Sequence, residues 1–185
     1  MAKVRMGMVG GGEGAFIGAV HRMAAAIDGE IELVCGAFSS DPERSARSGA
    51  ALYLPPERVY ASFKDMMAAE AALPGSERMQ FVAIVTPNRM HFPVAEEALK
   101  AGFHVMSDKP ATFSLEESLR LRDIVNETGL LYGLTHTYCG YPLVKEARER
   151  VAAGELGTIR KVVVEYPQGW LADRQEVSRG HSTMQ

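Results

Sequence analysis

Apolar residues fall along the chain in short, nearly continuous runs of β type, separated by longer stretches of helical character. This alternation predicts an α/β fold, a doubly wound parallel sheet covered on both faces by crossover helices. Strands are expected over 4–9, 31–38, 81–85, 103–107 and 130–134, and their apolar character suits burial on both faces. Helices are expected over 15–27, 42–50, 63–72, 87–101 and 115–128. Asp41 followed by Pro42 reads as a cap with proline at the first helical position, and Ser114 with Glu117 reads as a capping box. Gly102 and Gly129 mark helix stops. Pro55-Pro56 interrupts the pattern before a short segment, 58–60, that predicts a minor strand or turn.

A further helix is expected over 142–153, ending at Gly154, and 161–165 has strand composition. From 167 onward the sequence turns polar and loses its periodicity. The expected organisation is one nucleotide-type α/β domain over 1–140 and, over 141–185, a linking helix and the first strand of a second domain. A chain of 185 residues with 46% hydrophobic and 23% charged residues has the composition of a globular protein. The net charge of -3 offers no basic excess for phosphate backbones, which argues against a nucleic-acid partner. No apolar run reaches membrane-spanning length, and the first residues lack the pattern of a signal peptide. Two cysteines, Cys35 and Cys139, form neither a C-x-x-C pair nor a disulfide framework, so a reducing, cytoplasmic setting is expected and no metal site is drawn.

The first strand runs into Gly10-Gly11-Gly12-Glu13-Gly14-Ala15-Phe16-Ile17-Gly18, and an amphipathic stretch follows at once. Gly10, Gly12 and Ala15 match G-x-G-x-x-A: a glycine for the turn, a second for backbone approach to a pyrophosphate, and a small residue packing helix on strand. Gly14, Phe16 and Ile17 complete the loop and the helix start that would face the anion. Glu13 is an awkward neighbour for phosphate; either it points to solvent or the loop is wider than the standard fingerprint. An NAD site of this kind carries an acid about 20 residues on, at the end of the second strand. Here Phe38-Ser39-Ser40 stands in that place, and the nearby Asp41 is explained by its cap. Ser39, Ser40 and Arg44 can accept a 2′-phosphate, which favours NADP, although the serines also suit a plain strand end.

In an open α/β sheet, ligands lie beyond the carboxyl ends of the strands. Three polar clusters fall there: Thr86-Pro87-Asn88-Arg89-Met90-His91, then Asp108-Lys109-Pro110, then Thr135-His136-Thr137-Tyr138. Thr86 and Pro87 equally fit a helix start, and His91 and Tyr138 equally fit packed positions. His21 and His104 have no companions and read as structural or surface residues.

Taken in order, G-G-G-x-G-A-F-I-G, T-P-N-x-x-H, a carboxylate-Lys-Pro triplet and an H-x-Y segment resemble the Gfo/Idh/MocA oxidoreductases over about residues 3–166. The resemblance implies an N-terminal Rossmann domain binding NAD(P) and a C-terminal α/β domain for substrate and oligomer contacts. It implies hydride transfer between the nicotinamide and a sugar, inositol or related polyol. The triplet falls on Asp108, Lys109 and Pro110, with aspartate where the family has glutamate, and makes Lys109 the catalytic lysine between nicotinamide and substrate. Thr86, Pro87, Asn88 and His91 match the motif lining the ribose and nicotinamide, and His136 and Tyr138 the segment near the substrate. The family's later D-x-x-x-H pair has no match; His181 has Val177 four residues before it. The expectation is therefore a truncated oxidoreductase short of full catalytic competence, the alternative being a nucleotide-binding module without turnover. An unpaired strand at 162–164 suggests a homo-oligomer.

Overall fold

The computed structural model describes residues 2–167 and 169. Five parallel strands, β1 (Val4–Gly10), β2 (Ile31–Ala37), β3 (Phe81–Val85), β4 (His104–Ser107) and β5 (Tyr132–Leu134), form one sheet in the order β2-β1-β3-β4-β5. The helices between them are α1 (Phe16–Ala26), α2 (Pro42–Ala51), α3 (Phe63–Ala72), α4 (His91–Lys100) and α5 (Leu115–Thr128), followed by α6 (Pro142–Ala152). The chain divides into two compact units, the first ending at Thr135 and the second beginning at His136.

Strand geometry sends alternate side chains to opposite faces. From β3, Val82 and Ile84 join Met66, Met67, Phe92, Leu99 and Leu121 in one buried cluster under α3, α4 and α5. Ala83 and Val85 join Met6, Met8 and Phe38 in the other, where Ile17 of α1 packs. The doubly wound reading is thus correct, and several boundaries coincide with those read from caps. Asp41 accepts from the amides of Glu43 and Arg44, and Ser114 from that of Glu117, while Gly129 takes the left-handed conformation that ends α5. The 58–60 segment supplies a single parallel bridge, Gly36 to Val59, next to a 3-10 turn over Pro56–Arg58.

Three expectations change. The helix expected from 87 begins as a 3-10 turn over Asn88–Met90, and α4 proper starts at His91. The cap position of that turn falls on Pro87, which has no side-chain acceptor, so Thr86 does not cap and the turn has no side-chain cap at all. The fifth strand pairs only over Tyr132–Leu134. The 161–165 segment, despite its β-branched composition, has no strand partner among the described residues and is exposed. Strand propensity needs a sheet to pair with. The segment from 171 to 185, including Val177 and His181, lies outside the described residues.

Two local features hold the first unit. Helix α1 crosses the end of β1 so closely that a Cβ on Gly18 would lie 2.4 Å from Gly11 Cα. The close-packing position read at Ala15 is therefore Gly18, one turn further on. Elsewhere, Glu70 of α3 is fully buried and accepts four hydrogen bonds, from Arg58 Nε and Nη2 at 2.8 Å, Tyr60 Oη at 2.9 Å and the Met79 amide at 2.8 Å. It thereby ties α3 to both flanking connections.

Replacing Gly18 with alanine forces backbone apart, so Gly18→Ala is expected to destabilise the chain by about 2–3 kcal/mol in urea titrations. Glu70→Ala leaves a guanidinium, a phenol and an amide without their acceptor; the same measurement should show a loss of about 3–5 kcal/mol.

Candidate functional site

The sheet order reverses direction about β1, whose neighbours are β2 on one side and β3 on the other. Crevices at such points lie outside the carboxyl ends of the strands. Here Gly10 ends β1 directly beside Val85, the last residue of β3. Gly10 has φ +82°, and a Cβ there would meet the Val85 carbonyl oxygen at 2.7 Å and Thr86 Cγ2 at 3.1 Å. The position needs glycine both for its conformation and for space. The glycine loop and the Thr86 turn therefore meet at one edge of the sheet.

The loop is held from below. Ser48 Oγ accepts from the Glu13 amide at 3.0 Å, and Arg22 of α1 donates to the Gly11 carbonyl at 2.9 Å. Arg44 donates from Nε and Nη2 to the Glu13 carbonyl, which brings Arg44 against Gly14. The Glu13 carboxylate lies 3.7 Å from Arg47 in exposed surroundings, so its charge faces α2 and solvent. That removes the conflict Glu13 posed for a phosphate. Ala15 precedes α1 with no side-chain cap, and the first turn of α1, with Phe16 and Ile17, has no acidic residue. Its leading amides are thus left for an anion.

Thr86 carries the most informative atom. Its hydroxyl is buried, and it is the buried side-chain polar atom without a hydrogen-bond partner among the described residues. Such groups are costly unless a ligand completes them. A hydroxyl lacking a partner beside a glycine edge fits a ligand lying across the switch point. Pro87 and Asn88 are exposed just beyond. His91 is buried, with Nε2 2.9 Å from the Thr86 carbonyl oxygen and Nδ1 against the Pro110 carbonyl oxygen. It binds two turns together and does not open to the crevice.

At the end of β4, the Asp108 amide donates to the Ile84 carbonyl at 2.9 Å, and the Lys109–Pro110 peptide is cis. Lys109 is exposed. Asp108 Oδ1 lies 3.8 Å from Nε2 of His21, a residue that reading the sequence placed outside the site. Helical spacing could have found it: Gly18, His21 and Arg22 share one face of α1. At the end of β2, Ser39 Oγ accepts from the Asp41 amide, the Asp41 carboxylate is committed to the α2 cap, and Ser40 is exposed. His136 and Tyr138 belong to the second unit. There Tyr138 packs edge-on against Tyr141 and Tyr166 and shares a 2.7 Å hydrogen bond with the Tyr166 hydroxyl, which pushes its phenol upward. Among the described residues no three metal-ligating side chains cluster, and no helix is long and apolar enough to cross a membrane.

Comparison with known proteins agrees with this geometry. Residues 4–136 match the model of an oxidoreductase family with an NAD-binding Rossmann fold. The uncharacterized oxidoreductase YfiI of Bacillus subtilis is 33% identical over 170 residues, covering 91% of this chain and 43% of that protein. Among solved structures, an oxidoreductase from Sinorhizobium meliloti superposes with a TM-score of 0.80 at 49% identity, over 86% of this chain and 44% of that one. An inositol dehydrogenase homolog from Azotobacter vinelandii, solved with NADH and myo-inositol, gives 0.82 at 41% identity, over 86% and 41%. The chain thus spans less than half the length of these relatives. A glycine edge at the switch point, a buried hydroxyl waiting beside it and a match over residues 4–136 place this chain in the Gfo/Idh/MocA family of oxidoreductases, as its NAD-binding Rossmann domain.

Proposed function

We propose that the chain binds a nicotinamide dinucleotide across the β1–β3 edge and forms the cofactor half of a dehydrogenase acting on a sugar, inositol or related polyol. The observation that carries this reading is the unpartnered Thr86 hydroxyl beside Gly10. The loop of Gly10, Gly12 and Gly14 with the uncapped start of α1 holds the pyrophosphate. The bound cofactor supplies the hydride chemistry. Lys109, exposed at the end of β4, is the catalytic residue; its ammonium polarises the substrate oxygen and stabilises the charge that develops there. The polyol class comes from the inositol dehydrogenase homolog, whose structure holds NADH and myo-inositol. The substrate-side residues, His136 and Tyr138 among them, act in the longer protein.

The adenosine end favours NADP. Asp41 is occupied by its cap, and Arg44, in the first turn of α2 just after Ser39-Ser40, lays its guanidinium on the Glu13 carbonyl of the glycine loop, so a 2′-phosphate there would find a guanidinium and hydroxyls in place of a carboxylate.

Parallel calorimetric titrations with NADH and NADPH test both levels. Binding of either cofactor is expected, NADPH the tighter, with Arg44→Ala narrowing the difference; tighter NADH removes the phosphate assignment, and no binding by folded chain removes the dinucleotide site. Thr86→Val should weaken cofactor binding by about tenfold, equivalent to about 1.4 kcal/mol. Because it deletes an unsatisfied group, it should leave the melting temperature unchanged or raised.

A further inference from the structure

The Asp108-Lys109-Pro110 turn is fixed along almost all of its length. The Asp108 amide donates to Ile84 at 2.9 Å, Ser107 Oγ donates to the Asp108 carbonyl at 3.0 Å, and the Pro110 carbonyl lies against buried His91. The freedom left in the turn belongs to the Asp108 carboxylate. Its chain neighbour is the Lys109 ammonium, and the two opposite charges attract. An ammonium paired in this way has its charge spent on aspartate and offers less of it to a ligand oxygen.

The carboxylate is instead found on the other side. His21 on α1 brings Nε2 to 3.8 Å from Asp108 Oδ1, with the two side chains only 11% and 16% exposed. That separation is too long for a hydrogen bond; with the imidazole protonated it is within reach of a charge contact, which solvent screens weakly at such burial. Among the described residues Lys109 forms no salt bridge, although a carboxylate stands next to it in the chain. His21 can hold this position because Gly18, one turn earlier, lets α1 approach the end of the sheet.

The geometry points to His21 as a positioning residue: it draws the Asp108 carboxylate toward α1 and leaves the Lys109 ammonium unpaired and available to a substrate oxygen. The inference rests on the catalytic role proposed above for Lys109.

The test is competitive acetylation of the lysines in the cofactor-free chain, read by mass spectrometry, with exposed Lys3 and Lys64 as internal standards. His21→Leu is expected to slow labelling of Lys109 by about threefold or more, as the released carboxylate pairs with the ammonium. His21→Asn, too short to reach Asp108 and milder for folding, should do the same, and so should His21→Gln, which carries no charge. Adding Asp108→Asn to any of the slowed variants should restore the wild-type rate, which a loss of packing alone would not do. An unchanged Lys109 rate in these variants, or a slowing that Asp108→Asn does not reverse, overturns the assignment. No cofactor is present during labelling, so a failure of the chain to bind NADH strikes the proposed function and leaves this readout intact.

Discussion

The approach of α1 to the end of β1 is the constraint on which the site depends. Without a side chain at either Gly11 or Gly18, backbone meets backbone, and the first helix starts directly over the strand end. Arg22, on the same helical face, then reaches the Gly11 carbonyl and stiffens the loop it has just left. From the same face His21 reaches across to the far strand, β4. One tight contact therefore sets the pitch of the loop, the direction of the helix start and the reach of two side chains. A wider spacing would loosen all of them together.

Charge is arranged around this contact so that the crevice itself stays clear of carboxylates. Glu13 faces Arg47, Asp41 is spent on the α2 cap, and Asp108 leans toward His21. The carboxylates of Glu13 and Asp41 have a cation or amides elsewhere to satisfy them, and that of Asp108 lies beside His21. What remains at the edge is backbone, a hydroxyl and the ammonium of Lys109, a set suited to an anionic ligand. The same economy explains Glu70, whose carboxylate is buried but fully hydrogen-bonded.

Much of this was legible in the sequence because the signals are local. Caps at Asp41 and Ser114, the stop at Gly129 and apolar runs of strand length are each set by neighbours a few residues apart, and the structure repeats them. The glycine loop was legible for the same reason, but its division of labour was not. Which small residue takes the close contact depends on how α1 crosses the sheet, and that moved the role from Ala15 to Gly18. His21 shares a helical face with Gly18 and Arg22, but its partner lies 87 positions away, on another element, so that face alone did not mark it as a site residue. The 161–165 segment shows the opposite failure, in which strand composition is plain but the neighbour that would make it a strand is missing among the described residues. Non-local partners are what a linear reading cannot supply.

The filling of the sheet has a consequence of its own. Met6, Met8, Met66, Met67 and Met79 are all buried, on both faces and beneath α3. An unbranched thioether has several rotatable bonds and fills irregular space by bending, where a branched side chain must fit or clash. A core padded this way absorbs the exchange of one neighbour for another by shifting methionine rotamers, with little movement of the strands. Sequence can then drift around the sheet while the strand ends keep their spacing, so the scaffold is tolerant to mutation in just the layer that lies beneath a geometrically demanding edge.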